Sequence, residues 1–189
     1  GRGEAVPPQA ARGRKGEGLL FEQAGEAVTI VSPDGWLLDA NKAFLDLFDY
    51  SREELQGLRV TTLYVEPAER EEFLRRMAEH GAVRDELWYR KKTGELIFCH
   101  RSATEIRDEG GGLVAFQAFV RDITEQRRIE KALQDSEEKY RSLFEQSREA
   151  ITIVALDGTV LDANEAWLDL FGYSREELHR GLNIAAIYD

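Results

Sequence analysis

The chain has 189 residues, of which 42% are hydrophobic and 32% are charged, a balance typical of folded globular domains. Its 25 basic and 36 acidic side chains give a formal net charge of −11. Because nucleic acids and anionic membrane surfaces attract basic protein faces, this acidity argues against a nucleic-acid partner and against membrane binding.

The single cysteine, Cys99, excludes an internal disulfide and any metal site built from several cysteines. It favours a reducing, cytoplasmic location. No apolar run approaches the roughly 18 residues that span a bilayer, and no signal peptide is recognised, so we expect no membrane insertion. The three histidines have no metal-ligand spacing with Cys99 or with each other, so no metal site is predicted.

An internal repeat dominates the sequence. Residues 20–55 and 143–178 are identical at 26 of 36 aligned positions, at an offset of 123 residues. The second copy stops at Asp189, whereas the first continues before a linker begins. We expect a flexible leader at 1–18, a complete domain at 19–124, a linker helix at 125–142 and the N-terminal part of a second domain at 143–189.

The first half of the complete unit predicts two short strands, residues 27–32 and 36–40, around a Pro-Asp-Gly turn. Asn41 is a candidate N-cap for the helix that follows. Residues 51–54 have the form of a capping box, and residues 174–177 repeat it. Pro67 suits the first turn of a helix that runs to about His80 and ends at Gly81.

Three long strands follow, at residues 83–91, 95–107 and 113–120, which predict an antiparallel meander. A three-residue turn at 92–94 places Leu87 opposite Cys99, and it brings Asp85 opposite Arg101. Both faces of this hairpin carry apolar residues. We therefore expect a helix or a partner subunit to cover the second face.

Residues 121–149 predict a helix, because many of them are charged and no glycine or proline interrupts them. A moderate coiled-coil pattern repeats with 3-4 spacing through Gln126, Ile129, Leu133, Ser136, Tyr140, Leu143 and Ser147. Residues 135–138 also have the form of a capping box, so a break at Asp135 is the alternative to one continuous helix.

Taken together, these motifs resemble a PAS domain with its C-terminal PAC segment. The matching segments are Asp-Ala-Asn at 39–41, Leu-Phe-Asp-Tyr-Ser at 47–51, Glu-Glu-Leu-Gln-Gly at 53–57, Lys-Thr-Gly at 92–94 and Arg-Asp-Ile-Thr-Glu at 121–125. The resemblance covers residues 18–125 fully and 137–189 as a truncated copy. It implies an α+β fold with a five-stranded antiparallel sheet, order 2-1-5-4-3, and helices on one face.

The resemblance also allows cofactors to be assessed. Flavin-binding light-oxygen-voltage domains need a reactive cysteine on a short helix, and the matching residues 57–62 contain none. Haem-binding members need a histidine inside the helix at Pro67, where this chain has Glu69, Arg70 and Glu71, and His80 comes too late. Flavin and haem are therefore disfavoured, which leaves room for an unidentified small molecule.

The family's pocket lies between the helices and the sheet. Aligned to it, the candidate lining residues are Tyr89, Cys99, Arg101, Phe116 and Val120. A buried guanidinium needs a partner, and two readings stay open for Arg101. It forms an ion pair with Asp85, or it holds an anionic ligand together with Tyr89.

The family's usual functions are sensing, dimerisation and signal relay. We expect a non-catalytic module of a two-component or similar signal-transduction protein, in which Asp122, Ile123 and Thr124 couple the last strand to the linker helix. Asp122 is either the hinge anchor or only an N-cap.

We expect a homodimer and a downstream signalling domain of histidine kinase or diguanylate cyclase type, absent from this chain. The alternative is a protein–protein scaffold with no small-molecule ligand. The second copy is expected to be poorly packed or completed by another chain.

Overall fold

A computed structural model describes residues 21–187, and these fall into two compact units that divide between Gln126 and Arg127. The predicted leader at 1–18 lies outside the described residues. In the first unit, the elements in chain order are β1 (Ala27–Val31), β2 (Leu37–Ala40), α1 (Lys42–Phe48), two 3-10 turns (Glu53–Leu55 and Val60–Thr62), α2 (Glu69–His80), β3 (Ala82–Arg90), β4 (Leu96–Arg107) and β5 (Leu113–Asp122).

The five strands form one antiparallel sheet with the order β2-β1-β5-β4-β3. This is the order that the family resemblance implies, and the prediction is confirmed. The register predicted for the β3–β4 hairpin is also confirmed, because Leu87 pairs with Cys99 and Asp85 pairs with Arg101. A slip of one residue would turn every one of these side chains to the opposite face of the sheet.

Two predicted boundaries differ from the structure. α2 begins at Glu69 rather than at Pro67, and it ends as predicted at Gly81, whose φ of 67° is in the left-handed region. The capping box is complete at Ser174 but only half-formed at Ser51, whose N–H donates to Glu54 Oε2 at 2.9 Å. The reason is that Arg52, not Ser51, directly precedes the single 3-10 turn there.

The core of the first unit lies on the inner face of the sheet, in two apolar clusters. One cluster packs α1 residues Phe44 and Phe48 against Tyr89 of β3. The other packs α2 residue Phe73 against Phe116 of β5, with their ring centroids 5.2 Å apart. The helices therefore cover one face of the sheet and hold two groups of aromatic side chains against its central strands.

A single long helix, α3 (Thr124–Gln146), connects the first unit to the repeat. It is continuous through Asp135, so of the two alternatives the structure has the continuous helix and not the break. The sequence predicted a helix at residues 121–149, but β5 extends to Asp122 and the helix begins two residues later. The strand is longer because Arg121 and Asp122 continue its pairing with His100 and Cys99 of β4.

The second unit contains β6 (Thr152–Val154), β7 (Val160–Ala163), α4 (Glu165–Phe171), α5 (Arg175–His179) and a 3-10 turn (Ile184–Ile187). Trp167, Leu168 and Leu178 form a small core with β7. Phe171 is 43% exposed, whereas its repeat equivalent Phe48 is fully buried. Among the described residues, β6 pairs only with β7. Completion of this unit by another chain remains a prediction.

The same buried asparagine holds together the beginning of each repeat. The Asn41 carboxamide oxygen accepts from Val28 N at 2.9 Å and Phe44 N at 3.0 Å, and its NH₂ group donates to the carbonyls of Phe21 and Glu26. Asn41 is therefore more than the predicted helix N-cap, because it also connects the preceding helical turn to β1.

We predict that Asn41→Ala lowers the unfolding free energy of the first unit by about 3 kcal/mol, because it leaves several buried backbone groups without partners. Urea unfolding followed by hydrogen exchange in β1 and α1 measures the change. Gln56→Ala, at an exposed amide of the same unit, is the control and should change the unfolding free energy by less than about 0.5 kcal/mol. Equal effects of the two variants would contradict the assigned role.

Candidate functional site

A small cavity lies between the inner face of the sheet and the helical segments of the first unit. Its volume is about 20 Å³, which is room for one or two water molecules. Most of its lining is apolar, with Phe44 and Phe48 from α1 and Phe73 from α2. Arginine and tyrosine side chains supply its polar groups. The cavity therefore combines a low-dielectric wall with a few polar groups.

Four of the five predicted pocket residues line this cavity, namely Tyr89, Arg101, Phe116 and Val120. Cys99 does not, although it is fully buried on the same face of β4. Cys99 precedes Arg101 by two residues along the strand. It packs instead into the apolar cluster that contains Leu87 and Ile97. The alternation of inward and outward side chains along β4 thus predicts the correct face for Cys99. The cavity, however, is lined only by the next inward-facing residue of β4, Arg101.

Sequence reasoning missed three polar and aromatic residues on the helical side of the cavity, Tyr64, Arg70 and Phe73. One signal was available for Arg70. It precedes Phe73 by three residues and Met77 by seven, so helical spacing places it on the apolar side of α2. No comparable pattern marks Tyr64, which follows an irregular turn.

Arg101 forms the ion pair that the sequence offered as one of two readings. Its Nε and Nη2 donate to the two carboxylate oxygens of Asp85, at 2.9 and 2.7 Å. Its Nη1 donates to the Tyr64 hydroxyl at 3.1 Å, and its guanidinium lies 4.8 Å from the centre of the Phe73 ring. Arg101 is only 2% exposed, so this charge is held in the protein interior by a bidentate partner.

The electrostatics keep these groups in defined protonation states. Burial by itself disfavours the charged guanidinium, but Tyr89, Asp85 and Tyr64 outweigh it and raise the pKa of Arg101. Burial also raises the pKa of Tyr89, so its hydroxyl group stays protonated and can donate a hydrogen bond. The polar groups of the cavity are therefore cationic guanidiniums and neutral tyrosine hydroxyls.

Arg70 is the second guanidinium at the cavity. Its Nη2 donates to the carbonyls of Ser32 at 3.3 Å and Pro33 at 2.8 Å, and its guanidinium lies 5.3 Å from the centre of the Phe73 ring. Burial lowers the pKa of Arg70, and repulsion from Arg101 acts in the same direction, whereas Tyr64 and the Asp34 carboxylate oppose both.

The three predicted relay residues lie where β5 passes into α3. The Ile123 N–H donates to the Phe98 carbonyl at 2.9 Å, and the Phe98 N–H donates to Thr124 Oγ1 at 2.8 Å. Asp122 Oδ1 accepts from the N–H and the hydroxyl of Thr124, at 2.8 and 2.6 Å. Hydrogen bonds thus connect the beginning of α3 to β4, and the Asp122 carboxylate orients the Thr124 side chain.

Cys99 lies beside this junction, opposite Asp122 in the sheet. Burial raises the pKa of its thiol to about 12, with Asp122 acting in the same direction and Lys91 opposing it. A thiol in such surroundings is a poor nucleophile, because the thiolate is the reactive form.

Residues 21–187 offer neither a metal site nor a membrane-spanning helix. No group of three or more His, Cys, Asp or Glu side chains there is arranged to hold a metal ion. No helix in the same range has the length and apolar character needed to cross a bilayer.

Comparison with known families gives two matches along the chain. A family model described as "PAS domain" matches residues 25–125, and a second model of the same description matches residues 138–188. The first match contains the whole sheet with its cavity, and the second contains the two-stranded unit. Both copies of the repeat therefore match the family that the sequence motifs resemble.

Two curated relatives match most of the chain. Sporulation kinase E of Bacillus subtilis is 28% identical over 155 residues, which make up 80% of this chain but 20% of that protein. Biofilm dispersion protein BdlA of Pseudomonas aeruginosa is 29% identical over 154 residues, 77% of this chain and 35% of that protein. The chain thus spans about a fifth to a third of the length of these relatives.

The fold also matches solved structures. A PAS domain of a protein from Colwellia psychrerythraea superimposes with a TM-score of 0.55 and 24% identity, covering 59% of this chain and 97% of that one. At this identity the match concerns the fold alone.

We predict that Cys99 in the folded protein resists Ellman's reagent at pH 8. With a pKa of about 12, about one thiol in ten thousand is ionised at this pH, against about a quarter for an unperturbed cysteine. The labelling rate should rise at least about a hundredfold in denaturing urea. Cys99→Ser is the blank, and rapid labelling of the native protein would contradict the assigned burial.

Proposed function

Because the chain belongs to the PAS domain family, we propose that its complete unit is a non-catalytic sensory module. In this proposal a change in the contents of the cavity displaces β5 and β4. The helix α3 then transmits this displacement to a further signalling domain. Such an output domain would be of histidine kinase or diguanylate cyclase type, and the module would act in the cytoplasm. The names of the two curated relatives support a signalling role.

One observation carries the relay proposal, namely the hydrogen bonds between Phe98 and the beginning of α3. The cavity is lined by alternate residues of β5, Phe116, Ala118 and Val120. β5 ends at Asp122, whose side chain orients Thr124, and Thr124 is bonded back to β4. A displacement of either strand therefore acts directly on the first turn of the helix.

We predict that Thr124→Val uncouples the strand from the helix, because valine keeps the shape of threonine and lacks its hydroxyl. The Phe98 N–H then loses its acceptor, at a cost of about 1–3 kcal/mol. Hydrogen exchange at Phe98 and in the first turn of α3 should accelerate about tenfold or more. Thr124→Ser retains a hydroxyl and is the control.

The relay itself is tested by adding Phe116→Leu, which enlarges the cavity. This change should alter exchange at the beginning of α3 in the wild-type chain and in the Thr124→Ser variant, and much less in the Thr124→Val variant. If the response is the same in all three backgrounds, the signal does not pass through this hydroxyl, and the proposed route is wrong.

We also propose that α3 mediates homodimerisation. Its repeated apolar positions include Ile129, Leu133, Tyr140 and Leu143, each at least half exposed, and they fall on one side of the helix. Packing of the same stripe on a second copy would remove these side chains from water in the manner of a coiled coil.

We predict that Leu133→Glu weakens this dimer about a hundredfold or more, because it replaces a leucine of the apolar stripe by a carboxylate in each copy. Lys131→Glu adds the same side chain on the opposite side of α3 and should leave the association unchanged. Sedimentation velocity across a concentration series measures both variants. A monomeric wild-type protein, or equal behaviour of the two variants, would contradict the role of the stripe.

The small cavity favours a second candidate, a scaffold whose interior is filled by its own side chains. Native mass spectrometry separates the two functions. A dimer that carries a bound small molecule supports sensing, whereas a dimer with nothing bound favours scaffolding.

A further inference from the structure

The cavity has more positive than negative charge around it. Three arginines, Arg70, Arg76 and Arg101, lie near two carboxylates, those of Asp85 and Asp34, and Asp34 also interacts with a further guanidinium, that of Arg59. Arg101 binds both oxygens of Asp85, and Arg76 Nη1 adds a third contact with the same carboxylate at 2.8 Å. Asp85 is therefore already shared between two guanidinium groups.

Arg70 has no such partner. Among the residues that the structure describes, none of its hydrogen bonds or ion pairs reaches a carboxylate, and its backbone acceptors are the carbonyls of Ser32 and Pro33. It is half-buried, and it shares the Phe73 ring with Arg101, whose guanidinium lies 4.8 Å from the same centroid. Two cationic groups thus meet at one aromatic ring, and one of them lacks a carboxylate partner.

The surroundings make this excess charge costly. The wall of the cavity is made largely of Phe, Val and Leu side chains, and interactions between charges are stronger in such a medium than in water. A negative ion next to the two guanidiniums would offset this excess positive charge and accept charge-assisted hydrogen bonds from them. Three of the five N–H groups of Arg101 are engaged by Asp85 and Tyr64, which leaves donors available.

We propose that the cavity binds a small monovalent anion, of the size of chloride or formate, through Arg70 and Arg101, with the hydroxyl of Tyr89 as a further donor. A volume of about 20 Å³ suits an ion of one to three heavy atoms and excludes a flavin, a haem or a nucleotide without rearrangement. This inference deepens the proposed function and rests on it, because it names the class of ligand that the module would sense.

Chloride binding is measured directly by broadening of the ³⁵Cl resonance in the presence of the whole chain. We expect broadening that formate competes away and that gluconate, too large for the cavity, does not. Thermal unfolding is compared in chloride and in gluconate at the same ionic strength. The midpoint temperature of unfolding should be about 5 °C higher when the chloride concentration is ten times its dissociation constant.

Matched arginine variants assign the binding to this cavity. Arg70→Gln should abolish the broadening and reduce the thermal shift to less than about 1 °C, whereas Arg70→Lys, which keeps the charge, should retain part of both. Arg59→Gln is the control, because Arg59 is an exposed neighbour that bonds the Asp34 carbonyl and does not line the cavity. Equal losses in Arg70→Gln and Arg59→Gln, or equal effects of chloride and gluconate, would overturn the site.

A final measurement separates this site from the relay. Hydrogen exchange in α3 is compared with chloride and with gluconate in the wild-type chain. Anion binding together with altered exchange supports both proposals. Binding with unchanged exchange supports the anion site and counts against the relay, and a failure of binding overturns the site while the Thr124 variants still test the relay.

Discussion

A buried asparagine carboxamide is the constraint on which each repeat depends. Asn164 repeats every bond of Asn41, since its oxygen accepts from Ile151 N and Trp167 N and its NH₂ donates to the carbonyls of Phe144 and Glu149. In each repeat, one asparagine side chain thereby bonds to three segments. These are the helical residues before the first strand, the beginning of that strand, and the helix that follows the second strand. Both amides are fully buried, and all their hydrogen-bonding capacity is used, so the position tolerates no other residue without loss.

Much of the sheet could be predicted because the residues that face each other on neighbouring strands determine the strand register. Leu87 with Cys99 and Asp85 with Arg101 are compatible with only one alignment of β3 and β4, and the turn at residues 92–94 sets the same alignment. Helix ends were less certain. Asn41 and Gly81 act through their own backbone or side-chain geometry and were identified correctly. Pro67 and Ser51 depend on whether the next residues form a helical turn, which local sequence does not decide.

The site was harder to predict for a different reason. Alternation along a strand gives the face on which Cys99, Arg101, Phe116 and Val120 lie, but it does not tell where packing leaves a gap. The gap lies beside Arg101, where Phe73 of α2 and Tyr64 line it, whereas Cys99 belongs to the packed cluster that contains Leu87 and Ile97. The sequence left two possible partners for Arg101, Asp85 and an anionic ligand. In the structure Arg101 forms the ion pair with Asp85, and Arg70 has no hydrogen bond to a carboxylate.

The two ends of α3 are attached by different kinds of contact, and this matters for the proposed relay. At its beginning, Thr124 and Ile123 bond to a single residue, Phe98, in an otherwise regular strand. Near its end, the Phe144 carbonyl is held by Asn164, and the Glu145 carboxylate accepts from Arg175 at 3.1 Å. The first attachment is made to the sheet that lines the cavity, whereas the second belongs to the buried hydrogen bonds around Asn164. In the proposed relay, a change that begins at the cavity would therefore enter the helix through the hydrogen bonds with Phe98 and reach the repeat through the bond between Phe144 and Asn164.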